Sequence, residues 1–248
     1  MNLFQASIGA PRKILIVING ESNSGGYALN SEAQAGELDV CTAVKILDNT
    51  GLSAFQDLDI GTNNLVGHAG LSNGSTHGFE LELSNRAEVR PFYRQPCYLV
   101  KTGQGGSTIA QWADGQSYWN TFKARIDAAK SLLDGVQYRT FILFSIGIND
   151  ALAGTNVNTW KTAVQAHFAN MREELGATTP IIMTEFQGMG SGGNQYASYN
   201  TAIQEIAAAD PYTYSVNTSG AGLRDVNHWN YAGMKQVAGA MLDIVESL

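Results

Sequence analysis

The chain has 248 residues, 44% of them hydrophobic, which fits one large α/β domain with a sizeable core. Its net charge of -7 argues against a nucleic-acid partner or an anionic membrane surface. With only two cysteines, Cys41 and Cys97, the sequence excludes a disulfide framework and leaves a single bridge open.

Five short segments, apolar and rich in β-branched or aromatic residues, predict β-strands. They cover residues 14–18, 97–101, 140–146, 180–185 and 213–216. Runs of this length that are apolar throughout are typical of strands buried on both faces of a parallel sheet.

Four helices are predicted between and after these strands, at residues 118–133, 158–175, 195–209 and 231–245. In the second helix Trp160, Val164 and Phe168 recur at helical spacing, and Gly176 marks its end. The alternation of strands and helices predicts a three-layer α/β/α sandwich around a flavodoxin-like parallel five-stranded sheet. We expect a single domain over residues 1–248.

Residues 48–95 are dense in Gly, Asn, Ser and Thr and show poor periodicity. They predict a long loop-rich excursion, and such loops are usually functional. The glycine-rich segment 188–193 predicts a second loop. Both loops are expected at the rim of a site.

Four short polar pieces stand out, mostly just after predicted strands. They are Gly-Glu-Ser-Asn at 20–23, Gly-Gln-Gly-Gly-Ser-Thr at 103–108, Gly-Ile-Asn-Asp at 147–150 and Asp-Val-Asn-His at 225–228. In an open parallel sheet, ligands bind outside the carboxyl ends of the strands. The four pieces are therefore expected to meet at one edge of the sheet.

The residue types in these pieces match the needs of a serine esterase. Ser22 needs a base to take its proton, and His228 can be that base. Asp225 can hold the imidazole in the correct tautomer and stabilise its positive form. The oxyanion of a tetrahedral intermediate needs aimed donors, for which the candidates are the Ser22 and Gly106 backbone N–H groups and the Asn149 side-chain amide.

The pieces also carry a family resemblance, to the SGNH (GDSL-type) hydrolases, over residues 13 to about 245. Segment 20–23 is similar to the Gly-Gln-Ser-Asn block of the sialate O-acetylesterase and acetylxylan esterase branch. Three further segments resemble blocks of that branch: His-Gly-Phe-Glu-Leu at 77–81, Gly-Gly-Ser-Thr-Ile at 105–109 with Trp112, and Asp225-x-x-His228 with Gly233.

The resemblance implies that Ser22 is the nucleophile and that Asp225 and His228 complete the triad. It implies that Gly106 and Asn149 complete the oxyanion hole. Enzymes of this kind remove acetyl groups from sugars and use no cofactor, so an acetylated saccharide or another small ester is the expected substrate.

The sequence departs from the branch at two places. Glu21 stands where the block commonly has Gln. Segment 147–150 is similar to the Gly-x-Asn-Asp block of the wider SGNH family rather than to the Gln-containing block of the branch. Membership in the wider family is therefore better supported than the sub-branch and its substrate.

Four residues beside the motifs are candidates for substrate contact: Glu21, Gly105, Glu80 and Trp229. Gly105 is also an alternative to Gly106 as the oxyanion donor. Trp229 adjoins His228 and is the first choice for an aromatic face against a sugar ring, with a place in the core as its alternative. For Glu80 and the nearby His77, the alternative is a structural role that ties the excursion to the core.

Two other motif matches are interpreted as loops. Gly70-Leu71-Ser72-Asn73-Gly74 satisfies the G-x-S-x-G pattern, but it lies in the polar excursion rather than between a strand and a helix. Segment 188–193 satisfies the dinucleotide pattern G-x-G-x-x-G, but it comes late in the chain. The acidic residue expected about 20 residues on at a strand end is replaced by Asp210, which precedes a proline.

The expected function is a serine esterase that hydrolyses short acyl esters, most simply O-acetyl groups on carbohydrate. A lipase- or thioesterase-type SGNH hydrolase and an inactive carbohydrate-binding scaffold remain as alternatives.

No membrane span is expected because the apolar runs are far shorter than about 20 residues. The histidines at 68, 77, 167 and 228 lack metal-ligand spacing, so no metal is expected. No leader is visible, so the compartment stays open between the cytoplasm and export after leader removal. The oligomeric state stays open too.

Overall fold

The structure is a computed structural model that describes residues 13–65, 74–93, 95–187 and 196–248. Its strands are, in chain order, β1 (Lys13–Gly20), β2 (Ala28–Leu29), β3 (Cys41–Leu47), β4 (Phe55–Leu58), β5 (Thr76–His77), β6 (Cys97–Lys101), β7 (Tyr138–Ser145), β8 (Ile181–Thr184) and β9 (Thr213–Val216). Seven of them form one sheet in the order β4-β3-β6-β1-β7-β8-β9, and β2 pairs with β5. In the large sheet all neighbours are parallel except β3 and β4.

The α-helices are α1 (Ser22–Gly25), α2 (Glu80–Val89), α3 (Ser117–Leu132), α4 (Ile148–Leu152), α5 (Val157–Leu175), α6 (Ala197–Ala209) and α7 (Tyr231–Ser247). Short 3-10 helices cover Asn30–Glu32, Pro91–Tyr93 and Ile109–Trp112. The four predicted helices correspond to α3, α5, α6 and α7, and α5 ends where Gly176 follows it.

Alternate side chains of the sheet face two separate cores. Along β1, Ile14, Ile16 and Ile18 pack against α2 and α7 on one face. Leu15 and Val17 pack against α3, α5 and α6 on the other. Because both faces are covered, the sheet strands are apolar throughout. The predicted three-layer α/β/α sandwich is confirmed.

The predicted number of five sheet strands is corrected to seven. The five predicted strands are β6, β1, β7, β8 and β9, and their spatial order is the flavodoxin-like 2-1-3-4-5 when they are numbered along the chain. The two additional strands, β3 and β4, extend the sheet beyond β6. They lack a continuous apolar run because they lie toward the edge, where Thr42 and Gln56 are exposed.

The excursion at 48–95 is more regular than expected, since it contains β4, β5 and α2. Its first turn is organised by the Asp48 carboxylate, which accepts N–H donors from each of residues 50–54. Local side-chain bonding of this kind leaves no hydrophobic periodicity in the sequence.

The structure also bears on the cysteines, the two loop motifs, the membrane span and the metal site considered from the sequence. Cys41 and Cys97 are buried free thiols, so the open question of a bridge is answered against one. Residues 70–73 of the G-x-S-x-G match and the whole segment 188–193 lie outside the described residues. Within the described ranges, no helix is long and apolar enough to cross a membrane. The same part of the chain holds no group of His, Cys, Asp or Glu side chains suited to a metal ion.

Candidate active site

The turn after β1 sets the position of Ser22. Gly20 has φ +134°, and a Cβ there would lie 2.0 Å from the backbone oxygen of Ser145. Only glycine permits this approach, and it lets Glu21 N–H donate to the same oxygen at 2.8 Å. The chain then enters α1, with Ser22 as its first residue.

Ser22, His228 and Asp225 form one hydrogen-bonded chain. The Ser22 Oγ lies 2.9 Å from His228 Nε2, and His228 Nδ1 lies 2.8 Å from Asp225 Oδ2. With the imidazole proton on Nδ1, that N–H donates to the carboxylate and the serine hydroxyl donates to Nε2. This is the arrangement in which an imidazole removes a serine proton.

The surroundings keep Asp225 ionised. Burial alone raises the pKa of Asp225, but the N–H groups of Asn227 and His228 and the imidazole outweigh it and bring the pKa below its ordinary value. Both backbone N–H groups donate to Oδ1, at 2.8 and 2.9 Å. The side chains of His228 and Asp225 are 19% and 42% exposed, so the pair opens to solvent.

Asn23 holds the histidine loop against the serine helix. Its Nδ2 donates to the Asn227 backbone oxygen at 3.1 Å, and its Oδ1 accepts the Trp229 N–H at 3.3 Å. These bonds clamp the backbone on both sides of His228 to the residue that follows Ser22. The fully buried Asn23 side chain therefore helps to hold His228 beside Ser22.

An aromatic ring supports the imidazole. Tyr27 stacks on His228 with ring centroids 4.1 Å apart, and the guanidinium of Arg224 lies 4.9 Å from the Tyr27 ring centroid. On another side of the loop, the Tyr196 hydroxyl donates to Asn227 Oδ1 at 2.8 Å. The imidazole is thus positioned by stacking as well as by Asp225.

The predicted oxyanion donors come from α1, from the loop after β6 and from α4, which all lie at the same sheet edge. The Ser22 and Gly106 backbone N–H groups have no acceptor among the residues that the structure describes, so both are available to a ligand. The Gly106 loop is tied to β1 by Gln104 N–H, which donates to Gly20 at 2.8 Å. Its far end is tied to α4, because Ile109 N–H donates to Asp150 Oδ2 at 2.9 Å.

Glu21 lies beneath Asn149. Its Oε1 accepts the N–H groups of Gly147 and Ile148 at 3.1 and 2.8 Å. Its Oε2 accepts the Asn149 N–H at 3.2 Å and also the Asn149 side-chain amide. Burial raises the pKa of Glu21 to about 7 against the opposing effect of these donors, and the charge of Asp150 adds to the rise.

Three of the four candidates for substrate contact are not at the site surface. Glu21 and Glu80 are fully buried and Trp229 is 1% exposed. Glu80 pairs with the equally buried Lys101 at 2.7 Å, which anchors α2 to the end of β6. Of the four, only Gly105 is partly exposed. The structural alternatives considered for Glu80 and Trp229 fit this burial.

The sequence reasoning missed Asn23, Tyr27 and Tyr196 as supports of the triad. Asn23 belongs to the Gly-Glu-Ser-Asn block, which is a sequence signal, but the sequence assigns no role to it. Tyr27 and Tyr196 belong to no motif. Each contacts the loop that carries His228, which lies about 200 residues after Tyr27 and about 30 residues after Tyr196.

The fold and the arrangement of Ser22, His228 and Asp225 at the carboxyl edge of the sheet are those of an SGNH-type α/β hydrolase. A family model for carbohydrate esterases, the sialic acid-specific acetylesterases, matches residues 12–245. The chain belongs to this family and is therefore a carboxylic-ester hydrolase.

Solved structures with the same fold include three from different organisms. A protein of Arabidopsis thaliana has a TM-score of 0.75 at 15% identity, with 96% of this chain and 99% of that chain covered. A carbohydrate acetylesterase from Xanthomonas citri has a TM-score of 0.63 at 15% identity, covering 92% and 54%. An acetylxylan esterase from Geobacillus stearothermophilus has a TM-score of 0.55 at 14% identity, covering 95% and 94%. No curated protein matches the chain.

Proposed function

We propose that this chain is a serine esterase that removes O-acetyl groups from carbohydrate through an acyl-enzyme. The observation that supports it best is the continuous chain from Ser22 Oγ through His228 to Asp225, with contacts of 2.9 and 2.8 Å. Membership in a carbohydrate esterase family supports the substrate class.

In the proposed mechanism Ser22 Oγ attacks the ester carbonyl while His228 Nε2 takes its proton. The carbonyl oxygen becomes an oxyanion that receives hydrogen bonds from the Ser22 and Gly106 N–H groups and from the Asn149 amide. The protonated imidazole, stabilised by Asp225, then protonates the departing sugar hydroxyl. Water, activated by the same imidazole, attacks the acetyl-serine and releases acetate.

The first test compares p-nitrophenyl acetate with p-nitrophenyl octanoate, using the wild type beside Ser22→Ala. We expect turnover of p-nitrophenyl acetate to fall at least about a hundredfold in the variant, because alanine has no hydroxyl group with which to form the acyl-enzyme. Unchanged turnover in Ser22→Ala would refute the mechanism. Faster octanoate turnover would favour a lipase-like enzyme instead.

The second test measures acetate release from acetylated mono- and oligosaccharides, again with Ser22→Ala as the control. Release that depends on Ser22 supports a carbohydrate substrate. Binding of the saccharide without any release by the wild type would favour an inactive carbohydrate-binding scaffold.

A further inference from the structure

Among the residues that the structure describes, the Glu21 carboxylate is hydrogen-bonded to four N–H donors and to no acceptor. Gly147 and Ile148 donate to one oxygen, and the backbone and side chain of Asn149 donate to the other. Every hydrogen in this set belongs to a nitrogen, so both oxygens act only as acceptors. An ionised carboxylate satisfies all four donors, whereas a protonated carboxyl group brings a hydrogen that opposes one of them.

We propose that Glu21 is a positioning residue whose ionised carboxylate holds the Asn149 amide in the orientation that donates to the oxyanion, so that protonation of Glu21 slows turnover. This inference rests on the proposed function, in which Asn149 donates to the oxyanion. Glu21 is fully buried and acts only through Asn149 and the turn before it.

The geometry of an amide explains the coupling. The Asn149 Nδ2 carries two hydrogens, and Glu21 Oε2 receives one of them, which leaves the other for a ligand. When a proton occupies Oε2, the amide lowers its energy by turning its own oxygen toward that proton. The oxyanion hole then loses the Asn149 N–H donor.

The charged groups around Glu21 make this protonation accessible near neutral pH. Asp150, on α4, adds a negative charge that opposes ionisation. Tyr196, just before α6, has its own pKa raised by burial and by the charge of Glu21, so it is a neutral neighbour. Burial dominates and puts the pKa of Glu21 at about 7.

The test is the pH dependence of kcat and kcat/KM for an acetate ester in wild type, Glu21→Gln and Glu185→Gln. Glu185 supplies the matched control, because it is a buried carboxyl group whose side chain accepts from the Gln204 amide at 2.9 Å. All three proteins are compared by thermal unfolding, so that loss of fold is separated from loss of turnover.

In the wild type, protonation of either the base of the proposed mechanism or Glu21 stops turnover, so the acid limb of kcat/KM steepens toward a two-proton dependence. In Glu21→Gln, we expect this limb to lose one proton, because residue 21 can no longer be protonated. We also expect kcat to fall at least about tenfold with KM little changed, because one oxyanion donor is worth about a hundredfold or more. Glu185→Gln should keep the wild-type profile.

Asn149→Ala provides a second arm that does not depend on the folding of Glu21→Gln. Without the amide, protonation of Glu21 no longer reorients an oxyanion donor, so this variant should also have a one-proton acid limb. A two-proton limb retained in Glu21→Gln or in Asn149→Ala, or wild-type kcat in Glu21→Gln, would overturn the inference. Either outcome leaves the proposed function intact as long as Ser22→Ala abolishes turnover, whereas turnover by Ser22→Ala would refute the function itself.

Discussion

The clamp formed by Asn23 allows a quantitative prediction about the distance between nucleophile and base. In Asn23→Ala, the Asn227 carbonyl and the Trp229 N–H both lose their side-chain partner. A net hydrogen bond contributes about 1 kcal/mol, and a buried group left unpaired loses about 1–3 kcal/mol. We therefore expect the free energy of unfolding to fall by about 2–4 kcal/mol.

The same change should reduce turnover beyond its effect on stability. His228 lies between the two clamped groups, so release of the loop moves Nε2 relative to Ser22 Oγ. A displacement of about 1 Å at a reacting group lowers the rate by about a hundredfold. We expect kcat for p-nitrophenyl acetate to fall about 10- to 100-fold with little change in KM, because the Asn23 side chain is fully buried and is not exposed to substrate.

Asn200 offers a matched control. Its side chain makes the same pair of bonds to one loop residue, accepting the Phe186 N–H at 2.8 Å and donating to the Phe186 oxygen at 3.1 Å. Asn200→Ala should lose comparable stability, measured by urea unfolding, and keep its kcat at a temperature where both variants are folded. If the two variants lose kcat equally, or if Asn23→Ala keeps wild-type kcat, the clamp does not act on the triad.

Two further predictions concern buried charge. Lys101→Met leaves the Glu80 carboxylate buried without its counter-ion, although Asn64 and the Gly78 N–H still donate to it, so urea unfolding should give a loss of about 3–5 kcal/mol. Lys235→Met, which breaks the more exposed contact with Glu37, should lose no more than about 1 kcal/mol, and equal losses would contradict the argument. Burial raises the pKa of Glu21 from its ordinary value of 4.5 to about 7, so between these values the folded state binds more protons than the unfolded state. Stability therefore decreases as pH rises through this window, and the wild type should lose about 3 kcal/mol relative to Glu21→Gln between the two pH values. A stability difference that is flat with pH, measured by urea unfolding at several pH values, would show that the carboxyl group is not perturbed.

The hydrogen bonds of Glu21 and its burial favour opposite protonation states. The ionised carboxylate matches the donors of the Gly147–Asn149 turn, yet burial makes that form unfavourable for the folded state. A residue that lowers stability at the pH where it holds a site in order is typical of functional positions.

The sequence alone predicted the layers, five adjacent strands of the sheet and their flavodoxin-like order. Their apolar runs follow directly from burial on both faces: β1 is buried from Ile14 onward and β7 from Phe141 onward. It also marked Ser22, Asp225 and His228 as a set, because a nucleophile, a base and an acid at the ends of strands have few other uses together. Strands β3 and β4 escaped detection because partial exposure leaves a mixed pattern in both segments.

Only the tertiary structure decided where the side chains of the motifs point. Trp229 adjoins His228 and Glu80 lies in a segment that resembles a family block, yet both side chains are buried. Asn23 meets the backbone of a residue 204 positions away. Hydrophobic periodicity reports whether a segment is buried, but the direction of a polar side chain in a loop depends on partners distant in sequence. Such partners are defined only once the sheet has brought the loops together.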